Sequence, residues 1–248
     1  MSCRSSSTSH SSSKSEQNFP APASLSALKK LTRSLCEKPV YAYIVTTIKT
    51  HPNFQLQQEG SAPNFDGGRI TLCTCKHKDR ATFCPVKKQK DPWQNVWVAG
   101  LTSKKGNRPR SLVYLMCVER SFSTQRELWE ELNPKCRRAK SASKFKHGDL
   151  YEPKASAKNA LHNPADYCSP IRGHSHSSKE EPNKWHEDIK RWGKHSKPHP
   201  LLLGQMSQSY RWTKVKIILK ENAIGTTAHH KMYKSLNEFI ENLQEFNP

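Results

Sequence analysis

Apolar residues are unevenly spread along the chain, and where they cluster they do so in short runs of strand length. "VYAYIVTTI" at 40–48 is β-branched and aromatic without alternation, which predicts a strand buried on both faces. "RITLCTCK" at 69–76 follows a "DGG" whose glycines suit positive φ, and predicts a second strand. "NVWVAGLTS" (95–103) and "SLVYLMCVERSF" (111–122) flank the basic turn "KKGNRPR" and read as a hairpin. Trp97, inside the first of these strands, is expected in the core.

Helical spacing appears three times. Leu25, Leu28, Leu31 and Leu35 form a stripe among basic residues, and Leu128, Trp129 and Leu132 form another in 123–133. Ser123 and Thr124 are candidate N-caps for that second helix, with Glu127 placed for a capping box. Met232, Leu236, Phe239, Ile240, Leu243 and Phe246 predict a terminal helix. Between 134 and 198 there is almost no periodic apolar pattern, so a long polar insert is expected, functional or disordered. Strand character returns in "PLLLGQMSQSYRW" and "TKVKIIL", residues 200–219.

The expected order is β, β, a β–β hairpin, α, the insert, β, β, α. Helices do not alternate with strands, which disfavours a doubly wound parallel sheet. The expectation is an α+β fold: a small, mixed, strongly curled sheet or barrel with flanking helices and a long polar insert. The boundaries expected are a disordered Ser-rich tail over 1–24, a basic amphipathic helix and linker over 25–38, a main domain over 39–219 and a C-terminal helix over 220–248. The Ser-rich, acid-poor start with its basic helix also has the composition of an organellar transit peptide.

Charge changes this picture. Lys and Arg number 41 against 21 Asp and Glu, a formal net charge of +20, which favours a polyanionic partner. Ten of the basic residues lie between Lys76 and Arg110, with Trp93 and Trp97 in the same stretch. Eight more lie between Lys135 and Lys158. Basic segments attract phosphates, and aromatic rings give bases a surface to stack on. No apolar run approaches membrane-helix length and no apolar leader opens the chain, so an intracellular protein without a membrane partner is expected. The eight cysteines are then expected to be reduced, not a disulfide framework.

Three constellations could carry chemistry. Cys73, Cys75 and His77 alternate and so share one face of a strand, with Cys84 further on. A structural zinc site usually has paired C-x₂₋₄-C units, which this is not. Packed small side chains, zinc and a reactive thiol all remain open. His147, Asp149 and Tyr151 alternate around Gly148 and could place a base, its orienting carboxylate and a phenol together, with Lys144 and Lys146 adding charge. His174 and His176, then His186 and Asp188, repeat a one-residue spacing that fits a metal, a phosphate-binding loop or a plain polar loop. Walker, dinucleotide-binding, zincin, hydrolase-elbow and deaminase patterns are absent from the sequence.

In their order, "GGRITLCTCKHKDR", "VWVAGLTSKKGNRPRSLVYLMCVERSF", "KFKHGDLYEP", "HSHSS" and "PLLLGQMSQSYRW" resemble the second type of the nucleotide-modification-associated domain family, over roughly 39–219. On that mapping Cys75, Lys76 and Arg80 match its first strand. Trp97, Val98 and Gly100 match the second, and Tyr114, Met116 and Val118 the third. Gly148, Asp149 and Tyr151 match its turn, His174, His176 and Ser177 its histidine loop, and Tyr210 its last strand. Gly173 stands where the family tends to carry an acid. The hairpin is also similar in outline to pseudouridine-synthase and archaeosine-transglycosylase barrels, a likeness of fold alone.

The resemblance implies a module that binds nucleic acid (DNA or RNA), or a nucleotide, associated with modified bases. Phosphate contacts are expected from Lys76, Arg80, Lys104, Lys105, Arg108, Arg110, Lys144 and Lys146, with His176, Ser177 and Tyr210. A pocket of His147, Asp149, Tyr151, His174, His176 and Tyr210 would hold the base. The alternatives are an enzyme using His147 or His174 as general base with Asp149 orienting it, and a structural zinc-binding interaction module. The sequence names no cofactor, no metal ligand set and no oligomeric state.

Overall fold

The computed structural model describes residues 23–31, 37–60, 62–74, 76, 80–81, 90–104, 108–147, 149–155, 162–169, 183–194, 199–220 and 230–247; the side chains of 142–147 and 191–194 fall outside that description. The fold is mixed α+β, with a strongly curled half-barrel sheet and few helices, as expected. Residues 1–22 of the expected tail and 32–36 of the expected helix and linker lie outside the described residues. Two compact units divide the chain: 1–18, 61–82 and 122–201 form one, and 19–60, 83–121 and 202–248 the other.

The second unit is the sheet. Its strands β1 (Val40–Ile44), β5 (Trp97–Leu101), β6 (Leu112–Phe122), β7 (Leu201–Arg211) and β9 (His230–Tyr233) hydrogen-bond in the order β7-β6-β5-β1-β9. Every residue of β1 and β5 is buried, which is why both read as unbroken apolar runs. β1 pairs parallel to β5 and antiparallel to β9, while β5 and β6 form the expected hairpin with a register shift at Gly100/Leu101.

Register puts Tyr43, Gly100 and Tyr114 in one row across three strands. The Tyr114 hydroxyl donates to the Tyr43 hydroxyl at 2.8 Å. A Cβ on Gly100 would lie 2.2 Å from Tyr114 Cε1, so only glycine leaves room for that ring.

Smaller elements close this unit. The two-stranded pairs β2 (Ile48–Thr50) with β3 (Leu56–Gln58), and β8 (Ile217–Leu219) with β10 (Leu243–Glu245), are antiparallel. The first helix, α1 (Leu25–Leu31), packs on the terminal helix with Leu25 and Leu28 buried. That terminal helix is only Leu236–Glu241: the expected long helix is a strand, a short helix and a strand. Ser235 caps its start by accepting from Glu238 N, and Asn242 closes it before β10 pairs with β8.

The first unit holds α2 (Gln125–Glu131), α3 (Pro134–His147), α4 (His186–Lys194) and the short β4 (Thr71–Leu72). Thr124 and Glu127 form the expected capping box on α2. The predicted strand at 69–76 reduces to β4, because Cys73 turns away from the ladder. The expected polar insert is in part helical: Asn133 Oδ1 accepts from Cys136 N at 2.8 Å and Pro134 opens α3. Cys136 packs so closely on the 66–68 turn that a Cβ on Gly67 would meet its Cα and Sγ at 2.8 Å; Gly67 has the expected positive φ. Among the described residues, no helix is long and apolar enough to cross a membrane.

Candidate functional site

Asp149 and Tyr151 do not share a surface. Both are buried in the first unit, on different partners. The Asp149 carboxylate accepts from Cys73 N at 2.6 Å on one oxygen, and from Thr74 N and Oγ1 at 2.7 and 2.8 Å on the other. Burial raises its pKa, and these donors with the Arg80 guanidinium hold it back down.

Arg80, expected on a phosphate, is instead 1% exposed. Its guanidinium donates to Cys73 O and, at 2.9 Å, to Pro200 O. Cys73 is therefore gripped at its N–H by an acid and at its carbonyl by a base. This clamp fixes both ends of the segment from 73 to 80, with Lys76 half-buried between them at a φ of 55°.

Lys140 makes the second buried charge. It is fully enclosed, and its ammonium donates to Arg69 O at 2.8 Å, to Asn64 Oδ1 and Thr71 Oγ1 at 3.2 Å and to Asn64 O at 3.3 Å. Burial lowers its pKa, while Cys136, Asp66, Cys73 and Asp149 oppose the shift. A caged ammonium of this kind holds α3 to the chain around β4. Its only sequence trace was membership in a basic run, which points outward.

Tyr151 sits in an aromatic cluster with Tyr167, Trp185 and Ile189. Its hydroxyl donates to Asp188 Oδ2 at 2.7 Å, its backbone N–H to Gln125 Oε1 at 3.3 Å, and its ring tilts against Trp185 at 5.5 Å. Burial, with Asp188 next, drives the phenol well above its ordinary pKa. Asp188 thus serves Tyr151, while its sequence companion His186 meets the Trp185 ring edge-on at 4.4 Å.

Cys73 is buried and its thiol is pushed well up, by burial first and Asp149 second, which works against the thiolate a zinc ion requires. Cys75, His77 and Cys84 lie outside the described residues, as do Lys105, His174, His176 and Ser177. Among the described residues, no three His, Cys, Asp or Glu side chains are grouped as metal ligands. Cys73, Cys117 and Cys136 are free thiols. Cys168, against the expectation of reduced cysteines, is disulfide-bonded. The backbone of Lys144, Lys146 and His147 belongs to α3; their side chains are outside the description.

The second unit carries exposed charge on the turn between β5 and β6. Lys104 and Arg108 stand out from the turn between β5 and β6, and Arg110 is half-buried beside them in sequence. Leu219 N donates to Arg110 O at 2.8 Å, and Ser111 bridges Ile218. These bonds bring the strand segment with exposed Lys216 alongside Arg110 and Ser111, while the Lys220 ammonium donates to Glu241 O at 2.6 Å. Tyr210, on β7, is buried, with its ring 6.4 Å from that of Trp212. The expected contacts thus separate: Asp149, Tyr151 and Arg80 are interior to one unit, and Lys104, Arg108 and Arg110 belong to the other.

No protein-family model, curated protein or solved structure matches the chain, so the family likeness rests on the order of motifs in the sequence.

Proposed function

We propose that the chain is a nucleic-acid-binding module whose phosphate contacts come from the β5–β6 turn and the strand beside it. The observation that carries this is the backbone pairing of Leu219 with Arg110 and of Ile218 with Ser111, which runs the strand that bears exposed Lys216 beside the end of the turn carrying Lys104, Arg108 and Arg110, in a chain of net charge +20. Association with a modified base is the part that the motif resemblance alone supports. The catalytic alternative needs Asp149 to orient an imidazole; three donors from Cys73 and Thr74 already converge on its two oxygens, which favours the binding reading.

The test is fluorescence anisotropy of the full chain with labelled single-stranded oligonucleotides, modified and unmodified, over a salt series. Replacing Lys104, Arg108 and Lys216 by Gln should weaken binding and flatten the slope of log K against log salt by about 2, at roughly 0.7 per phosphate lost. Unchanged affinity at low salt would sink this placement. Tighter binding to one modified base supports the base association, and base-blind binding removes it.

A further inference from the structure

Among the described residues two large apolar side chains are exposed, Met206 and Phe54. Phe54 stands at the tip between β2 and β3 and is 37% exposed. The half-buried ring of Phe246 lies 4.8 Å from it between centres, at an angle of 60°. At that angle one ring presents mainly its edge to the other, so the pair does not use up both its faces on itself.

The backbone puts the Phe54 ring there at a cost. Asn53 and Phe54 both have positive φ, 61° and 58°, a region that a bulky side chain seldom enters. Bonds on either side hold the tip: His51 N donates to Gln55 O, Val215 N to Phe54 O and Leu56 N to Thr213 O, each at 2.8 Å. Packing does not account for this strain, because the ring that it positions stays partly in water.

The neighbours are cationic. The segment leading into β8 joins the two phenylalanines, for Val215 N is bonded to Phe54 O and Lys216 O accepts from Phe246 N at 2.9 Å. Val215 is buried while Lys214 and Lys216 are exposed, an alternation that turns both lysines outward. Among the described residues neither lysine is in an ion pair. Glu245, exposed next to Phe246, opposes this charge, and the two lysines outnumber it.

We infer that Phe54 and Phe246 form a stacking platform for an unpaired nucleobase, with Lys214 and Lys216 holding the phosphates next to that base. This rests on the nucleic-acid reading and names its substrate class, single-stranded nucleic acid. A ring face carries no hydrogen-bond pattern, so the platform grips without selecting sequence. The same segment runs on into the pairing with Arg110 and Ser111, which joins the platform to the cations of the β5–β6 turn.

The experiment titrates the full chain, by fluorescence anisotropy over a salt series, with two labelled probes. One is a single-stranded oligonucleotide, and the other is an abasic strand of equal length with the same phosphates. The native chain should bind the first about tenfold more tightly. Phe54→Leu keeps apolar bulk and removes the ring; it should lose that preference at an unchanged salt slope, and Phe54→Trp should retain it. Lys214→Gln should keep the preference and lose about 0.7 of slope. Far-UV circular dichroism confirms folded variants, and if Phe54→Leu does not fold, the two strands on the native chain decide.

Equal binding of both strands by the native chain overturns the platform and leaves the nucleic-acid reading standing. A preference for bases that Phe54→Leu retains overturns the assignment to this pair. A native chain that binds neither strand overturns both readings. Self-association of that chain, lost in Phe54→Leu by sedimentation velocity, would then assign the rings to contact between two copies.

Discussion

Asp149→Asn distinguishes a structural acid from a catalytic one. In the native chain one oxygen takes Cys73 N–H and the other takes both Thr74 donors. An asparagine can keep its oxygen on Thr74, but its amide then faces the Cys73 N–H, donor against donor. That orphaned backbone N–H costs about 1–3 kcal/mol. The two Thr74 bonds fall from charge-assisted to neutral, about 1 kcal/mol each. Removing a buried charge gives part of this back, since burial disfavours the carboxylate. We predict a net loss of about 3 kcal/mol, a fall of roughly 6–12 °C in melting temperature for a chain of this size.

The assay is urea denaturation followed by far-UV circular dichroism and Trp fluorescence, with Thr74→Val, expected to cost about 1 kcal/mol, as the partial version. A loss below about 0.5 kcal/mol for Asp149→Asn would refute the clamp. The pH dependence adds a second check. Because the folded pKa of Asp149 lies above its ordinary 3.8, the folded state holds a proton that the unfolded chain releases. Native stability therefore falls as pH rises through the folded value. The variant has no such proton to hold, so its own stability should not follow that fall.

Two further predictions concern the sheet. Gly100→Ala puts a methyl 2.2 Å from Tyr114 Cε1 and 2.8 Å from Val45 Cγ2, and should cost about 1–3 kcal/mol. In a Tyr114→Ala background the same change should cost clearly less, which a double-mutant cycle by urea denaturation measures; equal costs would refute the steric account. Burial pushes the Cys117 thiol up to about 12 from its ordinary 9.0. Between those values the native state keeps a proton that the unfolded chain releases, so stability should fall by up to about 1.4 kcal/mol per pH unit from this group. Cys117→Ala should flatten the decline in denaturation free energy above pH 9, and an identical profile would show that the thiol is not held protonated.

The elements that could be read from the sequence are those whose burial is apolar and whose partners are near. β1, β5 and the first seven residues of β6 are buried throughout, so unbroken apolar runs marked them. The cap of α2 spans four residues, Thr124 to Glu127, and was equally visible. α3 escaped because its buried residues include Cys136 and Lys140, one turn apart, and a lysine at a core position breaks no polar pattern. The C-terminal run misled for the opposite reason. Met232, Leu236, Phe239, Ile240 and Leu243 fit a helix, but pairing of Leu243–Glu245 with β8 and of His230–Tyr233 with β1 divides the run.

Site residues were found by type and misplaced by role, because the role depends on partners far along the chain. Asp149 meets Cys73 and Thr74 across 76 and 75 positions, and Lys140 meets Asn64 across 76. A basic run cannot show which of its members turn inward. Arg80 finds two carbonyls and is spent on the fold; Arg110 finds none and is left with its charge. Neighbouring residues cannot account for this difference, since both arginines lie in equally basic sequence. The carbonyl oxygens of Cys73 and Pro200, which the fold turns towards Arg80, decide it.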